Sequence, residues 1–377
     1  MSIENDRITF RAEYFTKCLT EINVKSNMKL YNGIYETKKP INTGDKIYMK
    51  IVFSCQGDYQ NIALREILSI KVPLKFIKWI DSGVGMVEYQ EPATFAEISA
   101  VISKSNLIFA RHIFPAEYIL PYAELDFMQD FASRMSKNEH FSVQIRGADT
   151  TDIKVRITDY LKSEGFTENK RYPEQIISVY IAKDTAYIGL SKADENLSIW
   201  SGGMRHFAMR DDTISRAEFK LMEVFETYPI PLPKCSLALD LGAAPGGWTK
   251  VLLEHGCKVT AVDSVQLAPV LQANKNVEYF SGRVRDYIKT IKNTDKMFDI
   301  IVDDMSMNIE SSINFIISLK NRLRDKGYIV ITLKLTNDNV LNKIKESVKL
   351  LSTEYNILHI KQFFHNRSEI TVILQKR

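Results

Sequence analysis

The chain has 377 residues, 45% of them hydrophobic and 25% charged, with a formal net charge of +4. That length exceeds one ordinary core and implies two or three globular domains. The small positive charge permits a nucleic-acid partner without requiring one, and four scattered cysteines with no CxxC pair suggest neither a disulfide framework nor a zinc site.

In chain order, the opening MSIENDRITFRAEYF lacks a positive-then-apolar leader. No apolar run approaches the roughly 20 residues that cross a bilayer. A cytoplasmic protein with no membrane partner is expected. RITFRAEYFTKCLTEI reads as a strand followed by a helix, and KIYMKIVFSC as a strand. A soft boundary falls near residues 90–97. HFSVQIRG (140–147) alternates like a strand, and TTDIKVRITDYLKSEGF (150–166) reads as a helix. QIISVYIAKDTAYIGLS (175–191) reads as two strands turned at Lys183 and Asp184. The N-terminal half is therefore expected to be α+β, small sheets backed by helices. The segment that follows, through residue 212, reads as an irregular linker.

SRAEFKLMEVFE (215–226) predicts a helix with Ser215 as N-cap and Glu218 placed for a capping box. The proline-rich TYPIPLPKCS (227–236) joins it to five strand-like runs at 237–240, 258–262, 298–302, 327–333 and 369–374. Helical patterns at 247–255 and 309–324 lie between them, which indicates βαβ units and a mostly parallel sheet. The runs at 357–363 and 369–374 flank FHNRS and predict an antiparallel hairpin at the sheet edge.

The chemistry starts at LALDLGAAPGGWTKVLLEHGCKVTAVD (237–263). A strand that ends in Asp240 and turns at Gly242 puts a small-residue loop at the carboxyl edge of the sheet, where doubly wound folds bind ligands. Asp263 ends the next strand, the usual place for an acid on ribose hydroxyls. Ala244 breaks the GxGxxG dinucleotide fingerprint, no GK[ST] follows, and no basic residue lies between Gly242 and Trp248. A nucleoside without phosphates is favoured, such as S-adenosylmethionine. A bare turn would explain the glycines but not Pro245 and Trp248. The six histidines show no metal-ligand spacing, so no metal is expected.

LDLGAAPGGWTKVLL closely resembles the cofactor loop of the FtsJ-like ribose 2'-O-methyltransferases. The resemblance runs from Ser215 to the C-terminus through SRAEFKL, VDDMSMN (302–308), VITLKL (330–335) and RSEITVIL (367–374). It implies a Rossmann-like S-adenosylmethionine methyltransferase domain. The family's Lys-Asp-Lys-Glu set falls on Lys220, Asp304, Lys334 and Glu369, with Lys334 as general base. Asp303 competes with Asp304, which directly precedes Met305 as the family's acid precedes its methionine. The implied cofactor contacts are Ser215, Pro245, Gly246, Gly247, Trp248, Asp263, Asp286 and Asp304. Singly, Lys220 could be a solvated helix lysine and Glu369 an edge-strand acid; all four types in order carry the weight.

Residues 97–191 resemble the THUMP RNA-binding module, and residues 1–96 the ferredoxin-like domain that often precedes it. The implied organisation is ferredoxin-like 1–96, THUMP-like 97–191, linker 192–212 and FtsJ-like 213–377. The pairing implies an RNA partner, a 23S ribosomal RNA cytidine above all. The alternatives are a tRNA methyltransferase and a non-catalytic RNA-binding or ribosome-assembly protein. Arg146, Lys154, Arg156, Lys170, Arg171 and Tyr172, with Arg205, Arg210 and Arg216, supply basic and aromatic groups for RNA, although any one could be a solvated surface residue.

Overall fold

Alternation of apolar and polar residues sets the strands of the N-terminal half. They are resolved in a computed structural model that describes residues 48–122, 124–148, 151–335 and 339–377. The expected first strand and helix lie outside the described residues. The described chain divides into two units, up to Arg205 and from His206 onward.

The first unit opens with β1 (Lys50–Ser54), α1 (Gln60–Leu68), β2 (Leu74–Asp81), β3 (Val84–Tyr89), α2 (Phe95–Lys104) and β4 (His112–Pro115). The strands form an antiparallel sheet in the order β2-β3-β1-β4. Thr94 and Glu97 close a capping box at the start of α2. The expected boundary at 96/97 falls inside this helix. Phe95, Ile98 and Ile102 pack on Ile51 and Phe53 of β1, so the first core continues to Ile113.

A second sheet, β5-β8-β7-β6, is built from β5 (Tyr118–Pro121), β6 (Phe141–Gly147), β7 (Gln175–Ala182) and β8 (Thr185–Lys192). β6 and β7 run parallel, while the other pairs are antiparallel. Helices α3 (Met128–Arg134) and α4 (Thr151–Ser163) supply Phe131, Ile153, Ile157 and Leu161 to its core. The β7–β8 turn is at Lys183, as expected, with φ of 53°. The expected linker is not free between 192 and 203. The Ser54 hydroxyl donates to the Gly202 carbonyl at 2.8 Å, and the Gln144 amide to the Ile199 carbonyl at 2.6 Å, which ties the segment to both sheets.

The second unit begins with α5 (Glu218–Thr227). Its N-cap position is Ala217, not Ser215. Half of the expected capping box forms: the buried Glu218 carboxylate accepts from the backbone N–H of Ile214 and Ser215. Next come β9 (Leu237–Leu241), α6 (Gly247–Glu254), β10 (Lys258–Asp263), α7 (Pro269–Gln272), β11 (Val277–Ser281), α8 (Val284–Ile291), β12 (Phe298–Asp303), α9 (Ile309–Ser318), β13 (Leu323–Lys334), α10 (Val340–Leu351), β14 (Tyr355–Lys361) and β15 (Glu369–Lys376). The sheet order is β11-β10-β9-β12-β13-β15-β14. The strands from β11 to β13 are parallel, and β15 is antiparallel to both β13 and β14. All five expected strands form, and β11 is additional. The order reverses between β9 and β12, which opens a crevice at their carboxyl ends.

Candidate active site

The loop after β9 is shaped by two glycines. Gly242 has φ of 73°, and a Cβ there would lie 2.5 Å from the Met305 side chain. Gly246, with φ of 118°, precedes α6, and its Cβ would lie 2.0 Å from Leu271. Only glycine takes that conformation without strain. The Asp263 carboxylate ties the loop to the end of β10. It accepts from the backbone N–H of Ala244 at 3.0 Å and of Val265 at 2.8 Å. In front lies a cleft of about 430 Å³ whose walls include Gly242, Ala244, Asp263, Arg283, Asp304 and Phe315. Its size suits a nucleoside ligand.

Of the expected cofactor residues, Asp263 and Asp304 line this cleft, whereas Ser215, Pro245, Gly246, Gly247, Trp248 and Asp286 are not among its walls. The Trp248 indole is buried in the core beside Leu221 and Val224, and its N–H donates to the Ala217 carbonyl at 2.8 Å. Gly247 packs under the start of α5, where a Cβ would lie 2.4 Å from the Ser215 hydroxyl. That hydroxyl oxygen is itself buried with no hydrogen-bond partner among the described residues. Asp286 lies on the first turn of α8, half exposed and 3.6 Å from Lys289. An orphaned hydroxyl beside the amino end of α6 and an acid at the end of β10 fit the two polar ends of S-adenosylmethionine, its amino-acid moiety and its ribose.

The four expected catalytic residues come together. Lys334 and Glu369 stand opposite each other in the β13–β15 register and form an ion pair. Lys220 reaches in from α5, with its Nζ 2.5 Å from Glu369 Oε1 and 2.9 Å from Asp304 Oδ1. The chain of contacts runs Asp304–Lys220–Glu369–Lys334. Burial opposes the Lys220 charge, but Asp304 and Glu369 outweigh it and raise its pKa. Burial likewise opposes the Glu369 charge, and Lys220 and Lys334 outweigh it and lower its pKa. Lys220 is therefore a fixed cation, and Lys334 is the more open lysine, its side chain 33% exposed against 17%.

Asp303 and Asp304 have different surroundings. Asp303 is fully buried at the end of β12 and accepts from the Met305 N–H at 2.9 Å and from Ser312, and burial pushes its carboxyl up to about 7. Asp304 faces Lys220. The sequence reading missed Thr332, whose hydroxyl donates to Asp304 Oδ1 at 2.8 Å. Thr332 lies two residues before Lys334 and so shares its face of β13, a signal that strand alternation carries.

Asp240 is also buried, held by the Thr249 hydroxyl at 2.6 Å. Burial pushes its carboxyl up to about 7, against the Thr249 hydrogen bond and with the help of Asp304, Asp303 and Asp263. A carboxyl whose folded pKa exceeds its unfolded one binds more protons when folded, so its contribution falls as pH rises from the ordinary carboxylate range to about 7. Asp240→Asn is expected to gain stability relative to the parent between pH 5 and pH 8, by on the order of 1 kcal/mol. Urea unfolding at the two pH values checks this, and an equal difference at both would count against it.

Among the described residues there is no group of three or more His, Cys, Asp or Glu placed to hold a metal ion, and no helix is long and apolar enough to cross a membrane.

The sequence pattern of the FtsJ-like methyltransferases matches residues 213–363. A Shewanella pealeana protein named ribosomal RNA large subunit methyltransferase M is 27% identical over 306 residues, covering 72% of this chain and 82% of that protein. An uncharacterised Methanocaldococcus jannaschii protein is 29% identical over 167 residues, covering 43% of this chain. The chain spans about half that relative's length, 47%. Among solved structures, TrmN from Thermus thermophilus is similar over 87% of this chain and 100% of that one, at 11% identity and a TM-score of 0.35. Residues 213–363 of this chain form an FtsJ-like methyltransferase domain, an enzyme domain whose methyl donor is S-adenosylmethionine.

Proposed function

We propose that the chain methylates a ribose 2'-hydroxyl of RNA, at a cytidine of 23S ribosomal RNA, in the cytoplasm. The observation that carries this is the connected set of Lys220, Asp304, Glu369 and Lys334, with Asp304 shared between the set and the cleft wall. S-adenosylmethionine, when bound, supplies a methyl group on a sulfonium, a good leaving group. A 2'-hydroxyl attacks poorly until its proton is removed, so the residues must position it and accept that proton. Lys334 is the base in this reading, and Lys220 is the neighbouring cation that shares Glu369 with it. Glu369 and Asp304 orient the two lysines, and Thr332 fixes Asp304. Asp263 holds the ribose of the cofactor, with Ser215, Pro245, Gly246, Gly247, Trp248 and Asp286 as the further contacts carried over from the family.

The name of the Shewanella relative supports ribosomal RNA as substrate. The order of the two halves also resembles the large-subunit rRNA cytidine 2'-O-methyltransferase. In this reading residues 97–191 are a THUMP-like RNA-binding module. The exposed pair of Tyr172 and Arg171, with the guanidinium 5.3 Å from the ring centre, is the stacking and phosphate contact in this reading.

Calorimetry with S-adenosylhomocysteine tests the cofactor, and absence of binding would sink the reading. Mass-spectrometric mapping of ribose methylation in a deletion strain tests the substrate. Loss of one 23S ribose methyl is expected. An unchanged ribosomal pattern with a lost tRNA methyl would move the substrate to tRNA.

A further inference from the structure

Beside the acid–lysine set, the second unit carries a group of aromatic and imidazole rings. They come from three places: residues 206–207, α5 and the turn between β14 and β15. Phe207 stacks on Phe219 at 5.6 Å, with 20° between the planes. His365 lies 5.5 Å from Phe207, 5.3 Å from Phe219 and 5.0 Å from Phe364, and His206 lies 4.7 Å from Phe364. Phe219 is buried, Phe207, Phe364 and His365 are half-buried, and His206 is exposed. The group has a buried floor and leaves ring surface open to solvent.

The turn that presents these rings is held firmly. The buried Glu223 carboxylate accepts from the Phe364 and His365 N–H groups, each at 3.0 Å. Asn366 Oδ1 accepts from the Phe363 N–H at 2.9 Å. The rings are also close to the reacting groups along the chain: Lys220 follows Phe219, and Glu369 lies four residues after His365. Exposed Arg216 lies two residues before α5 and exposed Arg367 on the β14–β15 turn, and neither forms an ion pair among the described residues.

We infer that this ring group is a stacking platform for an unpaired nucleobase next to the acceptor ribose, with Arg216 and Arg367 meeting the flanking phosphates. The inference rests on the proposed RNA reaction and adds how the acceptor strand is held. Single-stranded RNA is gripped by stacking bases on Phe, Tyr, Trp and His, and every base offers a face for it. Positive charge beside open rings matches a nucleotide rather than an apolar peptide. Stacking one base here would hold the neighbouring sugar against Lys334 and the cleft.

The test uses the full chain and a short single-stranded RNA carrying 2-aminopurine, whose emission is quenched by stacking. The wild-type chain is expected to quench it. Phe364→Ala and His206→Ala are each expected to bind roughly tenfold more weakly or worse, with the quench lost. Phe364→Tyr is expected to restore both. Unchanged S-adenosylhomocysteine affinity in the variants shows an intact fold. Unchanged RNA affinity and quenching in both alanine variants would overturn the platform, as would protection of the rings by a protein partner instead of RNA. Quenching without any methyl transfer by the wild-type chain would sink the proposed reaction and leave the platform standing.

Discussion

Lys334→Ala is expected to lose methyl transfer by roughly 10²–10⁴-fold while keeping its affinity for S-adenosylhomocysteine. The two readouts separate because Lys334 is not among the walls of the cleft, whereas Asp263 and Asp304 are. The fold should tolerate the change: Glu369 keeps Lys220 as its partner at 2.5 Å, so no buried charge is left alone. Single-turnover transfer with labelled methyl donor, beside calorimetry, measures both quantities. Wild-type turnover in the variant would mean that another group takes the proton. Lys220→Ala should also lose activity, but it should disturb the fold more, because it leaves Asp304 and the buried Glu369 without their shared cation.

Glu369→Gln carries the largest expected stability effect. Its carboxylate, with the side chain 5% exposed, is the shared counter-ion of both lysines. Removing one member of a buried charged set costs about 3 kcal/mol, because the remaining charges stay desolvated. The pH dependence follows from the directions of the shifts. Glu369 has a lowered folded pKa, so its stabilisation is present above the ordinary carboxylate range and is lost as pH falls through the lower folded value. Lys220 has a raised folded pKa, so its stabilisation is present below the ordinary lysine range and is lost as pH rises through the folded value. The gap between parent and variant in urea unfolding should be flat around neutrality and close in acid. A gap that widens in acid would contradict the assigned ion pairs.

What the sequence made legible depended on how local the cause was. The strands of the second unit are runs of buried β-branched and aliphatic residues, and they were readable as such. β11 was not: its five residues, VEYFS, are half-exposed and become a strand only by pairing with β10. α9 stops at Ser318 because Leu323 must pair with Phe298, a constraint that the apolar pattern through 324 does not display. In the first unit the β2–β3 hairpin hides behind Lys75 and Lys78 on β2. The acid–lysine set was legible because each member sits in a short, recognisable motif. The burial of Trp248 was not, since the same loop that suits a ligand also has to pack α6 against α5, and only the packed neighbours decide which way the indole turns.

The bond from the Trp248 indole to the Ala217 carbonyl has an optical consequence. The chain has three tryptophans, and the other two, Trp79 and Trp200, precede His206. With those two replaced by phenylalanine, every photon emitted by indole would come from the joint between the loop-bearing helix and the helix that carries Lys220. Emission colour and quenching at that joint would then report, without any label, whether the two helices move when methyl donor or RNA arrives.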